Sequence, residues 1–153
     1  MIRKKVVTNL EACRALWDKF MVRRNVTDLW EFRDCFQKHF KNAPHFILLE
    51  DEQGVSGFLP LSYLKDKEKY VLFPGETWNG KTWLERTQLC MRTPDILGDL
   101  LDAAPERTHL RYLECDESAL IPHLELDEIG YLFHPPEIGF DMKEMLRMLM
   151  GDS

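Results

Sequence analysis

The first forty residues repeat apolar positions at the three-and-four spacing of two amphipathic helices. The first stripe begins after Thr8 or Asn9, either of which can cap a helix. The second begins at Thr27 and Asp28 and ends before Pro44, because the residue preceding a proline resists helical geometry. The stripes consist of Leu10, Cys13, Leu16, Trp17, Phe20 and Met21, and then of Leu29, Phe32, Cys35, Phe36 and Phe40. The sequence therefore predicts that two adjacent helices open the domain.

The pattern then changes to the two-residue period of β-strands. Residues 45–50 and 55–64 are apolar runs on either side of a charged, glycine-containing turn, which predicts a hairpin. Within the second run, Gly57 indicates a bulge and Pro60 indicates an edge or a kink. Residues 70–73 follow another charged turn and predict a third strand.

The second half of the chain alternates between the two periods. A helix is predicted from Pro94 to about Ala104, and a strand over residues 109–115. A last strand is predicted over residues 129–133 and a last helix over residues 142–149. This order predicts an α+β layer architecture, with residues 1–153 forming a single domain.

Composition and charge narrow the class of protein. The chain has 153 residues with a hydrophobic share of 44%, which is enough to bury a core without disulfides or metals. Its net charge of −6 is unevenly spread, since residues 1–50 carry ten Lys/Arg and six Asp/Glu, whereas residues 94–153 carry four and fourteen. Such a balance argues against sequence-neutral nucleic-acid binding, which requires a dominant basic face.

The cysteines and the apolar segments predict a location in the cell. None of the 4 cysteines forms a C-x-x-C pair, so a zinc ribbon has no support. Cys13 and Cys35 lie on the apolar stripes of the helices, which predicts reduced thiols in the core. No signal peptide is visible, and no apolar stretch approaches the roughly 18 residues of a membrane span. We therefore expect a cytoplasmic protein with no membrane span.

Residues 46–61, placed after two helices, resemble the front of a GNAT-type acyltransferase domain. They are more similar still to the first half of the two-domain, Fem-like acyltransferases. In those proteins a strand like residues 57–61 is followed by a strand that ends in a glycine-containing loop, here residues 73–80. The resemblance covers most of residues 10–135. It implies a GNAT-like α+β fold, with a central, mainly antiparallel mixed sheet, two N-terminal helices and flanking helices.

One departure from the family pattern changes what the resemblance implies. A catalytic GNAT domain holds the pyrophosphate of acetyl-CoA on a Gln/Arg-x-x-Gly-x-Gly/Ala loop. Here Gly75 and Gly80 are separated by four residues, and no helix clearly begins at Gly80. The resemblance therefore implies the half that binds no cofactor and is not catalytic alone. An acyl-CoA or aminoacyl donor enters only with a second GNAT-like half, in cis or in trans. A single-domain relative, a split gene and the N-terminal half of a longer protein all fit.

The most site-like stretch is the loop over residues 76–86, which follows the third strand. It combines two tryptophans with carboxylates, an amide, a lysine and an arginine, a mixture that suits a small amine or peptide acceptor. A carboxylate there could deprotonate an ammonium nucleophile before acyl transfer. In the alternative interpretation, the tryptophans cover the sheet as a hydrophobic lid and the charges are solvated. The candidate substrate-binding residues are Glu76, Trp78, Asn79, Trp83 and Arg86.

Two other classes of function stay open. One is a non-enzymatic domain on the same fold that docks a protein partner, and the other is a small-molecule-binding module walled by Trp78 and Trp83. The 5 histidines have no metal-binding spacing, so no metal site is expected. Neither a catalytic residue nor enzymatic activity follows from the sequence alone.

Overall fold

The computed structural model describes residues 2–76, 87–111 and 113–114, which belong to one compact unit, Met1–Ile121. The predicted strand at 129–133 and helix at 142–149 lie outside the described residues, and the extent of the domain stays a prediction. The helices are α1 (Leu10–Phe20), α2 (Trp30–Phe40) and α3 (Ile96–Asp102), with a one-turn 3₁₀ helix at Val26–Asp28. The strands are β1 (Arg3–Val7), β2 (Ala43–Asp51), β3 (Gly54–Leu64), β4 (Lys69–Leu72), β5 (Thr87–Gln88), β6 (Cys90–Met91), β7 (Thr108–His109) and β8 (Leu113–Glu114).

Helix α1 forms as the sequence predicts. The Asn9 side chain accepts a hydrogen bond of 3.0 Å from the Ala12 N–H, which satisfies one of the free amides of the first turn. Cys13 and Trp17 lie one turn apart on its buried face. The Trp17 indole donates to the Asp28 carbonyl over 2.7 Å, and so ties α1 to the segment that precedes α2.

Helix α2 begins later than predicted. Thr27 and Asp28 belong to the 3₁₀ turn, and α2 itself begins at Trp30. Asn25 caps that turn by accepting from the Thr27 N–H at 2.9 Å, while the Asp28 carboxylate accepts from the N–H groups of Arg24 and Asn25. A capping box around a single turn therefore replaces the first turn predicted for the helix.

The prediction for the buried face of α2 was wrong. The stripe that includes Phe32, Phe36 and Phe40 is only half-buried, and Cys35 is exposed rather than in the core. The buried residues of α2 are Trp30, Arg33 and Gln37. The two polar side chains are tolerated there because each donates to backbone carbonyls of distant or following segments. Periodicity cannot detect such partners.

The predicted hairpin and third strand are confirmed, and they form the centre of a mixed sheet. Its strand order is β1-β2-β3-β4-β7, and β6 pairs with the first part of β3. Within this sheet the described pairs are antiparallel except β4 with β7, which are parallel and are connected through α3. Strands β5 and β8 form a separate parallel pair. Gly57 faces Leu49 and Val55 faces Glu50, so the predicted bulge falls at Ser56, beside Gly57.

Pro60 lies in an inner strand, where its missing N–H causes no loss. Its carbonyl accepts from the Phe73 N–H at 3.0 Å, on the side of β3 that faces β4. A residue's N–H and C=O point to the same side of a strand, so an N–H at position 60 would also point toward β4. It would face the position just past Leu72, where β4 ends, so proline costs the sheet no hydrogen bond there.

The sheet is covered on both faces. Alternate residues of β2 illustrate this, because Phe46 packs with α1 and α2 whereas Ile47 packs with α3. The first layer is aromatic, and Trp30 stacks on Phe73 with ring centroids 5.4 Å apart. The second layer is aliphatic, and α3 approaches β3 closely at Gly57, where a Cβ would lie 3.1 Å from an Ile96 methyl. The described residues therefore form an α+β domain of three layers.

Candidate functional site

A small cleft lies where the parallel strands β4 and β7 end. Val71 in β4 lies opposite His109 in β7, and both strands end within one residue of this pair. In open sheets the carboxyl ends of parallel strands are the usual place for ligands, because the connecting loops diverge there. The cleft is lined by Val71, Leu72, Gly75, Glu76, His109 and Arg111.

The chain leaves β4 through a tight turn that directs Glu76 back along the strand. The Gly75 N–H donates to the Leu72 carbonyl over 2.9 Å, and the peptide between Phe73 and Pro74 is cis. Gly75 has a φ of 132°, which only glycine adopts without strain. A Cβ at this position would also collide with the side-chain amide of Asn42. The turn therefore requires glycine at position 75.

Helix α2 and the segment after it hold this turn from the opposite side. The buried Arg33 donates through Nη1 to the Phe73 carbonyl over 2.8 Å, and Asn42 Nδ2 donates to the Pro74 carbonyl over 3.2 Å. Gln37 Nε2 in turn donates to the Asn42 carbonyl over 2.7 Å. Two side chains therefore hold two successive carbonyls of the turn, and Gln37 holds the backbone of one of them, Asn42. We call this set, Arg33, Gln37 and Asn42, the turn clamp.

Arg33 is the strongest member of the turn clamp. Its side chain is 1% exposed, with Nε donating to the Thr27 carbonyl over 2.5 Å and its guanidinium carbon 5.0 Å from the Trp17 ring centre. Burial lowers the pKa of Arg33 to about 10, and the nearby Asp28 carboxylate opposes that shift. The guanidinium is therefore charged at neutral pH, so its hydrogen bonds to the two carbonyls are charge-assisted.

Glu76 carries a buried carboxylate at the mouth of the cleft. Its side chain is 4% exposed, and it binds two lysines of the β3–β4 turn region. Lys69 Nζ lies 2.9 Å from one carboxylate oxygen and Lys67 Nζ lies 3.4 Å from the other. The Lys69 side chain is 16% exposed, whereas that of Lys67 is 41% exposed, so the Lys67 contact is the longer and the more open to solvent. Glu76 thus presents a carboxylate that receives ammonium groups.

The cleft itself is small and lies among further polar groups. It encloses about 10 Å³, which is room for roughly one water molecule. His109 and Arg111 border it together with Glu76 and the apolar Val71 and Leu72. The cleft therefore has room for one small group and is too small for a nucleotide.

The structure describes only one of the five predicted binding residues. Glu76 lines the cleft and its carboxylate is paired with two lysines, so its role in binding a substrate stays a prediction. The other four, Trp78, Asn79, Trp83 and Arg86, lie outside the described residues.

Sequence reasoning missed the residues that surround Glu76. Lys67 and Lys69 look like ordinary turn lysines, and His109 and Arg111 occupy a short strand and its exit. The parallel pairing of β4 with β7 brings these segments together. Local sequence patterns do not predict a pairing between residues that are nearly forty positions apart. One signal was available, because a helix between two strands suggests a parallel crossover.

Comparisons with known proteins give no relative for the chain. It matches no family model, no curated protein and no solved structure. Across residues 2–76, 87–111 and 113–114, no helix has both the length and the apolar character needed to cross a membrane. The same residues bring no three His, Cys, Asp or Glu side chains together in a group suited to a metal ion.

Proposed function

We propose that the chain is a GNAT-like, cytoplasmic domain of the Fem-like type, which binds the amine acceptor of an N-acyltransferase reaction. In this proposal it does not bind the acyl donor itself, and it works with a second GNAT-like half. The observation that carries the proposal is the buried Glu76 carboxylate at the ends of β4 and β7, where two ammonium groups already bind it.

The architecture supports the proposal at the level of its layers. The resemblance implies two N-terminal helices and a central, mainly antiparallel mixed sheet. The described residues form such a sheet, with α1 and α2 on one face and a parallel pair at β4 and β7. The free thiols of Cys13, Cys35 and Cys90 agree with a reducing compartment.

The lysine contacts of Glu76 suggest how an acceptor would bind. Lys69 holds one carboxylate oxygen from a mostly buried position, and Lys67 holds the other more loosely from solvent. The ammonium of an acceptor takes the place of Lys67, while Lys69 keeps the carboxylate in position. Once the ammonium has given one proton to the Glu76 carboxylate, its nitrogen lone pair is oriented for attack on an acyl donor supplied by the second half, which also takes up the leaving group. This positioning accounts for most of the rate enhancement.

A thermal-stability assay and an acyl-transfer assay test the proposal together. We expect a short peptide with a free α-amine to raise the melting temperature of the chain, since a ligand at 100 times its Kd adds about 2.7 kcal/mol of stability. Acetyl-CoA alone should leave the melting temperature unchanged, and no acylated peptide should form without a second half. A shift with acetyl-CoA, or acylated product from the chain alone, would show instead a complete enzyme.

The alternative function is a non-enzymatic domain on the same fold that binds a protein or a small molecule. One observation favours protein binding, namely the outward face of α2. There Phe32, Phe36 and Phe40 are only half-buried, and successive rings lie 5.2 and 6.0 Å apart along the helix. If the free-amine peptide fails to bind Glu76, protein binding through this face of α2 becomes the favoured function.

A further inference from the structure

We infer that the outer edge of β1 is a docking strand for an extended, acid-rich segment of a partner protein. Among residues 2–76, 87–111 and 113–114, strand β1 is the first strand in the order of the sheet and pairs with β2 on one side. Residues Arg3 to Val6 are all exposed, and Val7 is partly buried. The backbone groups on the outer side of such a strand offer a ready-made template for another strand.

The side chains of β1 define the chemistry of the strand that would fit. Three consecutive basic residues, Arg3, Lys4 and Lys5, occupy the edge. Arg3 and Lys5 share the sheet face of Val7, on the α1 side, because side chains alternate along a strand. A partner strand that places carboxylates opposite Arg3 and Lys5 gains cross-strand charge pairs.

The opposite face of β1 favours apolar residues in the partner strand. Lys4 and Val6 lie on the side of α3, where Lys4 Nζ donates to the Ala103 carbonyl at the end of that helix, over 2.6 Å. The Lys4 charge is therefore already engaged with a helix C-terminus. Val6 is 40% exposed and Ile2 is 42% exposed, which leaves two apolar positions on this face. The complementary segment thus alternates acidic with apolar residues.

Charge also decides against two other occupants. In a pairing of β1 with β1 of a second copy, the basic residues of the two strands would lie opposite or diagonal to one another, which is destabilising. A nucleic acid is disfavoured because the chain as a whole carries a net charge of −6. An acid-rich extended segment avoids the first obstacle. It also places only a few carboxylates beside the local basic residues of β1, whereas a nucleic acid would bring a continuous polyanion to an acidic protein.

The first experiment measures peptide binding by fluorescence polarisation on the full chain. The probe is a short labelled peptide that alternates Val with Glu, and its counterpart alternates Val with Lys. We expect binding of the acidic peptide alone, and Lys5→Glu should weaken its Kd about fivefold or more. The matched control is Lys65→Glu, an exposed lysine in the turn after β3, which changes the net charge equally and should leave Kd unchanged.

The second experiment tests whether backbone pairing, and not charge alone, holds the peptide. Adjacent residues of an edge strand direct their N–H groups to opposite sides, one toward β2 and one outward. Of Lys5→Pro and Val6→Pro, one should therefore lower the melting temperature. The other should keep the fold, yet lose binding of the acidic peptide.

Three results would overturn the proposal. The first is equal binding of the acidic and basic peptides, or no binding of either at millimolar concentration. The second is a folded proline variant at each position with unchanged Kd, which would place the peptide elsewhere. The third is concentration-dependent dimerisation in analytical ultracentrifugation that the folded proline variant abolishes, which would make a second copy the occupant. None of these outcomes depends on acceptor binding at Glu76.

Discussion

Replacing Arg33 by methionine tests how strongly the turn clamp holds the site. Methionine retains most of the apolar length of the side chain, but it removes the donors to the Thr27 and Phe73 carbonyls. A hydrogen bond to a charged group contributes about 1.5–3 kcal/mol, so two such bonds amount to about 3–6 kcal/mol. The guanidinium no longer has to be buried, which offsets part of this loss. We therefore expect Arg33→Met to lower the free energy of unfolding by about 3–5 kcal/mol, the range for breaking a buried charged contact.

Urea unfolding followed by tryptophan fluorescence measures this loss, because Trp17 and Trp30 report on the cluster around Arg33. With an m-value of about 2 kcal/mol/M, the midpoint should fall by about 1.5–2.5 M at unchanged m. Arg33→Lys is the matched control, since it keeps the charge but cannot reach both carbonyls in the same geometry, and should lose about half as much. A midpoint of Arg33→Met within about 0.5 M of the wild type would refute the reasoning, because the two carbonyls would then have no need of Arg33.

Three further predictions concern the turn, the thiols and pH. Gly75→Ala should destabilise the chain by about 2 kcal/mol more than Gly54→Ala in the same urea assay, because both have positive φ but only the first new Cβ collides with a neighbour. Iodoacetamide followed by peptide mass spectrometry should label the exposed Cys35 in the folded chain and leave Cys13 unlabelled, since burial raises the pKa of Cys13 to about 12; equal labelling of both would contradict the fold. Burial, and after it the Lys4 charge, lowers the pKa of His45 below 6.5. As the pH falls below 6.5, the unfolded state binds more protons than the folded state, so the free energy of unfolding should decrease. His45→Gln should show a smaller decrease over the same pH interval.

Local pattern was enough to predict the elements whose buried residues are apolar. Helix α1 followed from its apolar spacing and its Asn9 cap, and the β2–β3 hairpin followed from two apolar runs around a turn. In these segments the residues that fold the chain locally are also the ones that pack in the core. Propensity, periodicity and packing therefore agree.

Prediction failed where distant partners determine the environment. Arg33 and Gln37 look like surface residues of α2, but hydrogen bonds to carbonyls of other segments bury them and turn the phenylalanine stripe outward. Strand β1 was not predicted, because its consecutive basic residues show no alternation of apolar and polar positions. Its pairing with β2 is what identifies it as a strand. Of the candidate site, Glu76 was predicted from its loop, whereas its lysine partners depend on the turn that folds it back toward Lys69.

The most direct test of the acceptor-binding proposal is a calorimetric titration with two peptides that differ only in a free or an acetylated N-terminus. We predict that the free amine binds and the acetylated peptide does not, and that Glu76→Gln abolishes binding. Lys67→Met should tighten binding, because it removes the ammonium that competes for the carboxylate. Glu68→Gln, at a carboxylate that is 74% exposed in the same turn, should change nothing. Equal binding of the two peptides, or unchanged binding by Glu76→Gln, would contradict the account.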